Sequence, residues 1–494
     1  MKKDIYRARI KESLDNTVIE YLSSLQDDYW IAKEDIIGTE VHDIMLFEQN
    51  ILKKEEIKKI LGTLEELKSK LKQGTIQLTG KFEDIHPFIE NYVIERTGME
   101  NGGKIHTGRS RNDQVSVDLR LKIRNELNAL SQLIFDLSEV LFELSKDHIE
   151  TYMPLYTHLQ KAQLGVFSHY INYYLSQILR IEERINETYA RVNKNPLGAC
   201  AIGGTSININ RKRTTELLGF NGLVLNSIDA ISSRDYILET LMLLNLLATH
   251  FSRISEDLMI WSTKEFNFID LDDRFCSVSS VMPQKKNPDT LELSRAKSSI
   301  VMSNLTKASQ IVKATPSGYL RDFQELKPIL KESFTLIRSI IQIFTGVFST
   351  LKINKDKMEE QANNSYILAL DLAEILVNDY NIPFRTAHTI IGKLVSDSDI
   401  PDDLFDVHRI KNLIKEIGRK RINISPDLLQ KLKDKKYTLN KRKSIGSPSS
   451  MEIKEFINTL QEKKEDLYNN YQLRIKEVKD AASLRKHIIT EILS

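Results

Sequence analysis

The sequence predicts an all-α fold with long helices at its centre. Neither glycine nor proline occurs in residues 109–153, 166–195, 223–282 and 289–315. Because these two residue types are the main helix breakers, such uninterrupted stretches favour long helices. No alternating strand pattern of comparable strength accompanies them in the sequence.

The first of these stretches shows the helical period directly. Between residues 116 and 148, apolar side chains recur at intervals of three and four, which places them on one face of a helix. The residues of this stripe are Leu119, Leu121, Ile123, Leu127, Leu130, Leu133, Ile134, Leu137, Val140, Leu141 and Leu144. A stripe this wide is typical of a helix inside a bundle, and helices of this length indicate a bundle that subunits can share.

Three parts of the chain differ in glycine content and in predicted helix length. Residues 1–108 contain shorter helices and end in a glycine-rich stretch, residues 109–355 carry the long helices, and residues 356–494 contain shorter helices again. Since 494 residues correspond to about three domains of typical size, we predict three mostly helical domains with these boundaries. The highly charged C-terminal tail is predicted to be a solvated helix or a helix that binds a partner.

The composition excludes several classes of protein. Hydrophobic residues make up 41% and charged residues 28% of the chain, which is typical of a globular protein with a large core. A net charge of +2 provides no field that would attract nucleic acid or anionic lipid. The two cysteines lack metal-site spacing, and the charged N-terminus lacks an apolar signal core. We therefore predict a cytoplasmic protein that binds neither nucleic acid nor membrane, with no metal and no organic cofactor.

Three polar segments lie at the edges of the long helical stretches. The first, from Gly102 to Val115, contains His106, Thr107 and a polar run over residues 109–114. Donor-rich turns at a helix start bind anions, because free backbone N–H groups act together with the side chains. An N-capped helix with a charged first turn is the alternative interpretation.

The second polar segment, from Pro154 to Gln163, places Thr157 and His158 shortly after a proline, where we expect a helix to start. Histidine is the side chain whose ordinary pKa suits proton transfer near neutral pH. The alternative is a structural histidine, since a single histidine is more often structural than catalytic.

The third polar segment, from Ser277 to Lys297, is predicted to be a loop followed by a helix from about Asp289. Its polar residues are Ser279, Ser280, Lys285, Lys286 and Asn287. A small polar loop after a long helical stretch is a typical position for a mobile lid. Lysine and backbone amides can lower the pKa of a serine and hold a carboxylate. A plain loop between helices is the alternative.

These segments together resemble the blocks of a known enzyme family. SSVMPQKKNP is similar to the S-S-x-x-P-x-K-x-N signature of the fumarase/aspartase superfamily, and HTGRSRNDQV and YTHLQKAQ resemble two blocks of its argininosuccinate lyase branch. Weaker similarities are found in SSLQDDYWIAKEDIIGTEVH, EDIHPFIE, SIDAISSRDY and GYLRDFQELKP. The resemblance extends from about residue 20 to about residue 450.

The resemblance implies a β-elimination that splits argininosuccinate into fumarate and arginine, a step of arginine biosynthesis. A base removes the proton beside a carboxylate, an aci-carboxylate carbanion forms, and the carbon–nitrogen bond then breaks. A weakly acidic C–H needs a strong base, and a dianionic intermediate needs concentrated positive charge and hydrogen-bond donors.

The resemblance assigns catalytic roles to four residues. Ser279 would be the loop serine that closes on the substrate and moves a proton, and His158 would be the other acid–base group. Glu292 would raise the basicity of His158, and Lys285 would polarise the site. Which of Ser279 and His158 is the base and which is the acid stays open.

The resemblance also implies a set of substrate contacts. Those expected to bind carboxylates are Ser24, Arg109, Arg111, Asn112, Thr157, Lys285 and Asn287. Those expected to shape the rest of the pocket are Tyr319, Gln324 and Lys327.

The assembly of the family is a further implication. Its fold has three mostly helical domains, the long helices of four subunits form one central bundle, and each active site combines segments of three subunits. We therefore expect a homotetramer with four composite sites, in which polar blocks far apart in sequence meet at helix ends.

The chain departs from the family pattern at several positions. Val278 precedes the serine pair where glycine is usual, and Asn210 stands where aspartate is usual. Two alternatives therefore stay open: a related lyase that releases fumarate from another N-substituted aspartate, and a catalytically silent structural relative. Tyr319, Gln324 and Lys327 favour argininosuccinate, and the retained catalytic set argues against a silent relative.

Overall fold

The computed structural model describes residues 14–79 and 82–494, and helices dominate it. The N-terminal region contains α1 (Asn16–Leu22), α2 (Leu25–Asp28), α3 (Ala32–Glu48), α4 (Lys54–Gln73), α5 (Ile85–Thr97) and α6 (Met99–Gly102). The all-α fold class is confirmed. The charged N-terminal segment that supported the cytoplasmic expectation lies outside the described residues.

The central region contains the long helices that the sequence predicts. Its helices are α7 (Arg111–Asp147), α8 (Phe167–Val192), α9 (Arg211–Leu218), α10 (Ser227–Ser232), α11 (Asp235–Ser262), α12 (Asp289–Lys313) and α13 (Leu326–Thr350). Helix α7 packs against α8 and α13, and α11 packs against α8, α12 and α13. The apolar stripe of α7 is buried or partly buried in the main hydrophobic core, because this packing covers that face of the helix.

The long helix α7 has defined signals at its start and along its length. Ser110 is its N-cap, and the Asp113 carboxylate accepts the Ser110 backbone N–H at 3.0 Å in a capping box. Two buried arginines then bind the carbonyl ends of neighbouring helices. Arg120 donates to the Arg191 and Val192 carbonyls, and Arg124 donates to the Leu218 and Gly219 carbonyls. These bonds satisfy carbonyls that a helix end leaves unpaired.

The C-terminal region contains shorter helices and one long one. They are α14 (Lys355–Asn363), α15 (Ala369–Asn378), α16 (Phe384–Ser396), α17 (Val407–Ile417), α18 (Pro426–Leu432), α19 (Lys435–Asn440) and α20 (Ser450–Leu493). Short 3₁₀ turns occur at Asp273–Phe275, Arg321–Glu325 and Pro401–Phe405. A separate hydrophobic cluster lies within residues 372–432, and the three-domain boundaries stay a prediction.

The charged tail forms α20, which packs against α4, α7, α8 and α9 of its own chain. Arg474 is buried there and donates to Glu182 at 2.8 Å and to Ser131 at 2.9 Å. The tail is therefore not a fully solvated helix, because its apolar residues complete the main core, and the binding of a partner stays a prediction.

The strands form three small antiparallel pairs. Strand β1 (Tyr152–Thr157) pairs with β2 (Gln160–Val166), β3 (Ile269–Asp270) pairs with β6 (Lys352–Ile353), and β4 (Ser277–Val278) pairs with β5 (Lys286–Asn287). The helix start expected within residues 154–163 is therefore wrong, since these residues lie in or between β1 and β2. The turn between β1 and β2 lacks the glycine or asparagine that usually marks a two-residue hairpin in a sequence.

Within residues 14–79 and 82–494, no helix is both long enough and apolar enough to cross a membrane.

Candidate functional site

A cavity of about 260 Å³ lies between the N-terminal helices, the start of α7 and the segment before α13. Its lining residues are Ser24, Asp84, His86, Arg111, Asn112, Val115, Leu119, Arg234, Tyr319, Arg321, Phe323, Gln324 and Lys327. The lining includes four cationic side chains, Arg111, Arg234, Arg321 and Lys327, and one carboxylate, Asp84. This excess of positive charge in the lining favours an anionic ligand.

Two of the cations are held at the rim by shared acidic partners. Arg111 donates to Glu83 at 3.1 Å and to Asp84 at 3.2 Å, and Arg321 donates to the same Glu83 oxygen at 2.7 Å. Burial raises the pKa of Glu83, but the hydrogen bonds and the charges of Arg321 and Arg111 outweigh it and lower the pKa. Glu83 thus remains an anion that fixes both guanidinium groups beside the cavity.

The floor of the cavity is a buried lysine–carboxylate pair. Lys327 forms an ion pair with Asp28 and donates to the Ser24 hydroxyl at 3.0 Å. Ser24 in turn donates to Asp28 at 2.9 Å, and the Ile85 backbone N–H donates to the same carboxylate at 3.1 Å. This network holds Ser24 and Lys327 in fixed positions, although they are far apart in sequence.

We expect Lys327→Met to destabilise the protein by about 3–5 kcal/mol, because it leaves the Asp28 carboxylate buried without its counter-charge. The measurement is the thermal midpoint of the intact protein, compared with Asp28→Asn/Lys327→Met. The double variant removes both charges and should lose less stability than the single one. An equal or larger loss in the double variant would contradict the importance of this ion pair.

The start of α7 supplies further polar groups to the cavity. The Asn112 side chain donates to the Ala201 carbonyl at 2.8 Å, which fixes the amide beside the first turn of the helix. Free N–H groups and the dipole at a helix N-terminus favour an anion. The N-capped helix is therefore confirmed, and the segment borders the cavity, while its binding of an anion stays a prediction.

The segment before α13 forms the opposite wall. Gln324 donates to the Leu22 carbonyl at 3.3 Å, and the Tyr319 ring packs against Phe323 with centroids 6.0 Å apart. The guanidinium group of Arg234 stacks on the Phe323 ring, 4.4 Å from its centroid. Burial raises the pKa of Tyr319, so its hydroxyl is a neutral donor near neutral pH.

His158 lies at the tip of the β1–β2 hairpin, away from this cavity. Thr157 and Gln160 are the last paired residues of the two strands, so His158 and Leu159 form a two-residue turn between them. Their φ values are 54° and 59°. Both side chains are exposed, as is that of Thr157. A left-handed backbone at histidine is uncommon, and the tight turn presents the imidazole to the outside of the chain.

Ser279 lies in the turn that joins β4 and β5. Its hydroxyl oxygen accepts backbone N–H groups of Val281 at 3.3 Å and Met282 at 3.0 Å. Val278, which replaces the usual glycine, lies in extended β4 opposite Lys286, a conformation that valine adopts readily. Lys285 is exposed, Asn287 is partly buried, and Glu292 is exposed on the first turn of α12.

The structure thus divides the predicted site residues into separate groups. Those brought together in the cavity are Ser24, Arg111, Asn112, Tyr319, Gln324 and Lys327. Those that lie outside it are Arg109, Thr157, His158, Ser279, Lys285, Asn287 and Glu292. Arg109 is buried behind the site and donates to Thr39 at 3.0 Å, so within this chain it does not reach the cavity.

The cavity also contains residues that the sequence reasoning missed: Asp84, His86, Arg234 and Arg321. Arg234 is the N-cap of α11 and Asp84 is the N-cap of α5. Both positions lie at helix starts inside the similar blocks EDIHPFIE and SIDAISSRDY, so closer attention to these blocks could have found them. His86 lies in the block EDIHPFIE, whose similarity to the family was noted without giving this residue a role, and its place in the cavity depends on residues far away in sequence.

One group of side chains of metal-ligand type was found in the described part of the chain: Asp35, His86 and Asp118. The His86 Nδ1 atom lies 2.8 Å from Asp35 Oδ2. Two ligands of one zinc ion about 2.1 Å away lie about 3.4 Å apart in tetrahedral geometry. The shorter distance indicates a direct hydrogen bond between the two side chains.

Comparison with known families gives two matches. Residues 8–303 match the family described as "Lyase", and residues 366–415 match "Argininosuccinate lyase C-terminal". The first match covers the cavity segments up to α12, and the second covers much of the region with the separate hydrophobic cluster.

The chain is also similar to curated proteins over nearly its whole length. The argininosuccinate lyase of Nitrosopumilus maritimus (strain SCM1) is 41% identical in an alignment of 502 positions, which covers 99% of this chain and 100% of the relative. The argininosuccinate lyase of Methanocaldococcus jannaschii is 40% identical over 458 residues, which cover 92% of this chain and 93% of the relative.

Solved structures share the fold. An EDDS lyase variant with bound fumarate has a TM-score of 0.85 at 26% identity, covering 96% of this chain and 94% of that one. The class II fumarase of Schistosoma mansoni has a TM-score of 0.68 at 16% identity, covering 82% and 89%, which shows a common fold alone.

Proposed function

The chain belongs to the argininosuccinate lyase family of carbon–nitrogen lyases, and on this premise we propose that its cavity binds argininosuccinate for β-elimination to fumarate and arginine. The observation that carries the proposal is the convergence of cations in the cavity. Arg111, Arg321 and Lys327 surround the space that a succinyl group with two carboxylates would occupy. Charge-assisted hydrogen bonds to carboxylates are among the stronger polar contacts, and they also stabilise a dianionic intermediate.

The proposed site is completed by other subunits. His158 and Ser279 lie outside the cavity of their own chain, and both are on turns that point away from the core. The central helices also expose apolar side chains that a neighbouring subunit would cover: Met242, Leu246, Leu293, Ile300 and Met302. We therefore propose a homotetramer in which each cavity receives the His158 hairpin and the Ser279 turn from two different neighbours.

The geometry of the Ser279 turn supports a proton-transfer role. Two backbone N–H groups donate to its hydroxyl oxygen, and such bonds stabilise the oxygen when it carries negative charge. His158 is exposed and free to approach a neighbouring cavity. Glu292 would raise its basicity, and Thr157, Lys285 and Asn287 would bind carboxylates in the assembled site.

The test is fumarate release from argininosuccinate by the purified protein, followed by the ultraviolet absorbance of fumarate. We expect turnover, and a folded protein without turnover would overturn the proposal for this substrate. Incubating fumarate with a panel of amines would then show whether another N-substituted aspartate is formed.

The proposed location is the cytoplasm. Cys200 and Cys276 are free thiols in the described structure, as is usual in a reducing compartment. Fractionation of cells that produce the protein tests this location.

A further inference from the structure

The wall of the cavity contains a buried histidine, with two carboxylates behind it, that the elimination chemistry described above does not use. His86, in the first turn of α5, lines the cavity with only 5% of its surface exposed. Its Nδ1 atom lies 2.8 Å from Asp35 and 3.8 Å from Asp118. Because Nδ1 is engaged behind the ring, Nε2 is the nitrogen available to the cavity, and it bonds to no residue of the described chain.

We propose that His86 is a cationic donor that binds a carboxylate of the substrate, and that Asp35, rather than Asp118, maintains its charge. This inference rests on the proposed function and adds a positioning carboxylate to the site. His86 would donate its Nε2–H to an oxygen of the succinyl group, while Asp35 accepts the Nδ1–H and holds the ring in place.

The two carboxylates have opposite environments, although both are fully buried. Asp35 accepts hydrogen bonds from His86, from Gln114 at 2.7 Å and from Thr39 at 3.3 Å. Both oxygens of Asp118 are buried and have no hydrogen-bond partner among the described residues. A buried carboxylate without donors is far more stable as the neutral acid, whereas three donors stabilise the ionised form.

The expected charge states agree with this geometry. Burial raises the pKa of Asp118 well above its ordinary value, and the neighbouring charge of Asp35 raises it further. For Asp35 burial also acts upward, but the charge and hydrogen bond of His86 outweigh it and lower the pKa. Burial lowers the pKa of His86, but the charges of Asp35 and Asp84 outweigh burial and raise it. His86 and Asp35 are thus an ion pair, with Asp118 neutral beside them.

Other charges act on this cluster from the surrounding elements. The titratable groups that face it are Asp28, Glu34, Asp84, His106 and Arg109, and those across the cavity are Arg111, Arg234, Tyr319, Arg321 and Lys327. Burial, with the charge of Arg109, lowers the pKa of His106 to about 3, so this histidine is neutral. His86 is therefore the histidine of this region that can carry a charge near neutral pH.

The test compares two isosteric substitutions in adjacent carboxylates of the intact protein: Asp35→Asn and Asp118→Asn. The readout is the dissociation constant of fumarate between pH 5.5 and pH 8, a range in which its carboxyl groups stay ionised. The charge of Asp35 raises the pKa of His86, and His86 loses its own charge as the pH rises through that pKa. Asp35→Asn lowers the pKa of His86, so in this variant the charge is lost at lower pH. We expect Asp35→Asn to weaken fumarate binding about 10–100-fold at pH 8 and less than about 3-fold at pH 5.5.

Asp118→Asn should change fumarate binding by less than about 3-fold at either pH, since an amide replaces a neutral acid. Equal losses in the two variants, or a loss in Asp35→Asn that does not depend on pH, would overturn the proposal. If Asp35→Asn does not fold, His86→Gln decides: an unchanged fumarate affinity at pH 7 would overturn the role of the ring. Turnover of argininosuccinate by the unsubstituted protein tests the proposed function separately, so either failure is recognised on its own.

Discussion

Replacing His158 by asparagine should lower kcat for argininosuccinate by about 10²–10⁴-fold, the usual contribution of a general acid or base. Asparagine is suited to this position because it tolerates the positive φ of 54° that the hairpin turn imposes. The variant therefore removes the proton-transfer group and keeps the turn. The measurement is steady-state fumarate release, with the secondary structure and the oligomeric state checked in parallel.

His408→Asn is the matched control for this variant. His408 is exposed near the start of α17, in the region with the separate hydrophobic cluster, so the same substitution there should leave kcat unchanged. A loss of less than about 10-fold in His158→Asn would argue against a role in proton transfer.

Replacing Ser279 by alanine should lower kcat by about 10²–10⁴-fold as well, because the variant removes the hydroxyl that two backbone amides polarise. Ser280→Ala is the control, since Ser280 is the exposed neighbour in the same turn. Fumarate release is again the measurement. Similar losses in the two variants would indicate that the turn, rather than the Ser279 hydroxyl, is what catalysis requires.

The two inactive variants can be combined to test the composite site. If the His158 hairpin and the Ser279 turn of one site come from different subunits, randomly mixed tetramers of the two variants contain intact sites. Equal mixing should restore about a quarter of the unsubstituted activity, since each of the two groups is intact with a probability of about one half. No recovery in mixed tetramers would contradict sites that are shared in this way.

Much of the fold could be predicted because helix signals are local. The predicted stretch over residues 166–195 contains α8 (Phe167–Val192), and the helix expected from about Asp289 begins there as α12. The hairpin that carries His158 was mistaken for a helix start. Its pairing partners are fixed across a turn of His158 and Leu159, and neither residue gives the sequence signal of a hairpin.

The sequence by itself determined the all-α fold class, the stretches that contain the long helices and the family to which the chain belongs. Only the tertiary structure decided which side chains share a cavity. Ser24 and Lys327, for example, form a hydrogen bond although they lie 303 residues apart in the sequence. It also decided that α20 docks on its own chain and that Arg109 stays behind the site. The charge state of a buried carboxylate is decided in the same way. Asp35 and Asp118 are chemically identical in the sequence, and only the donors around each one, brought there by packing, make the first an anion and the second a neutral acid.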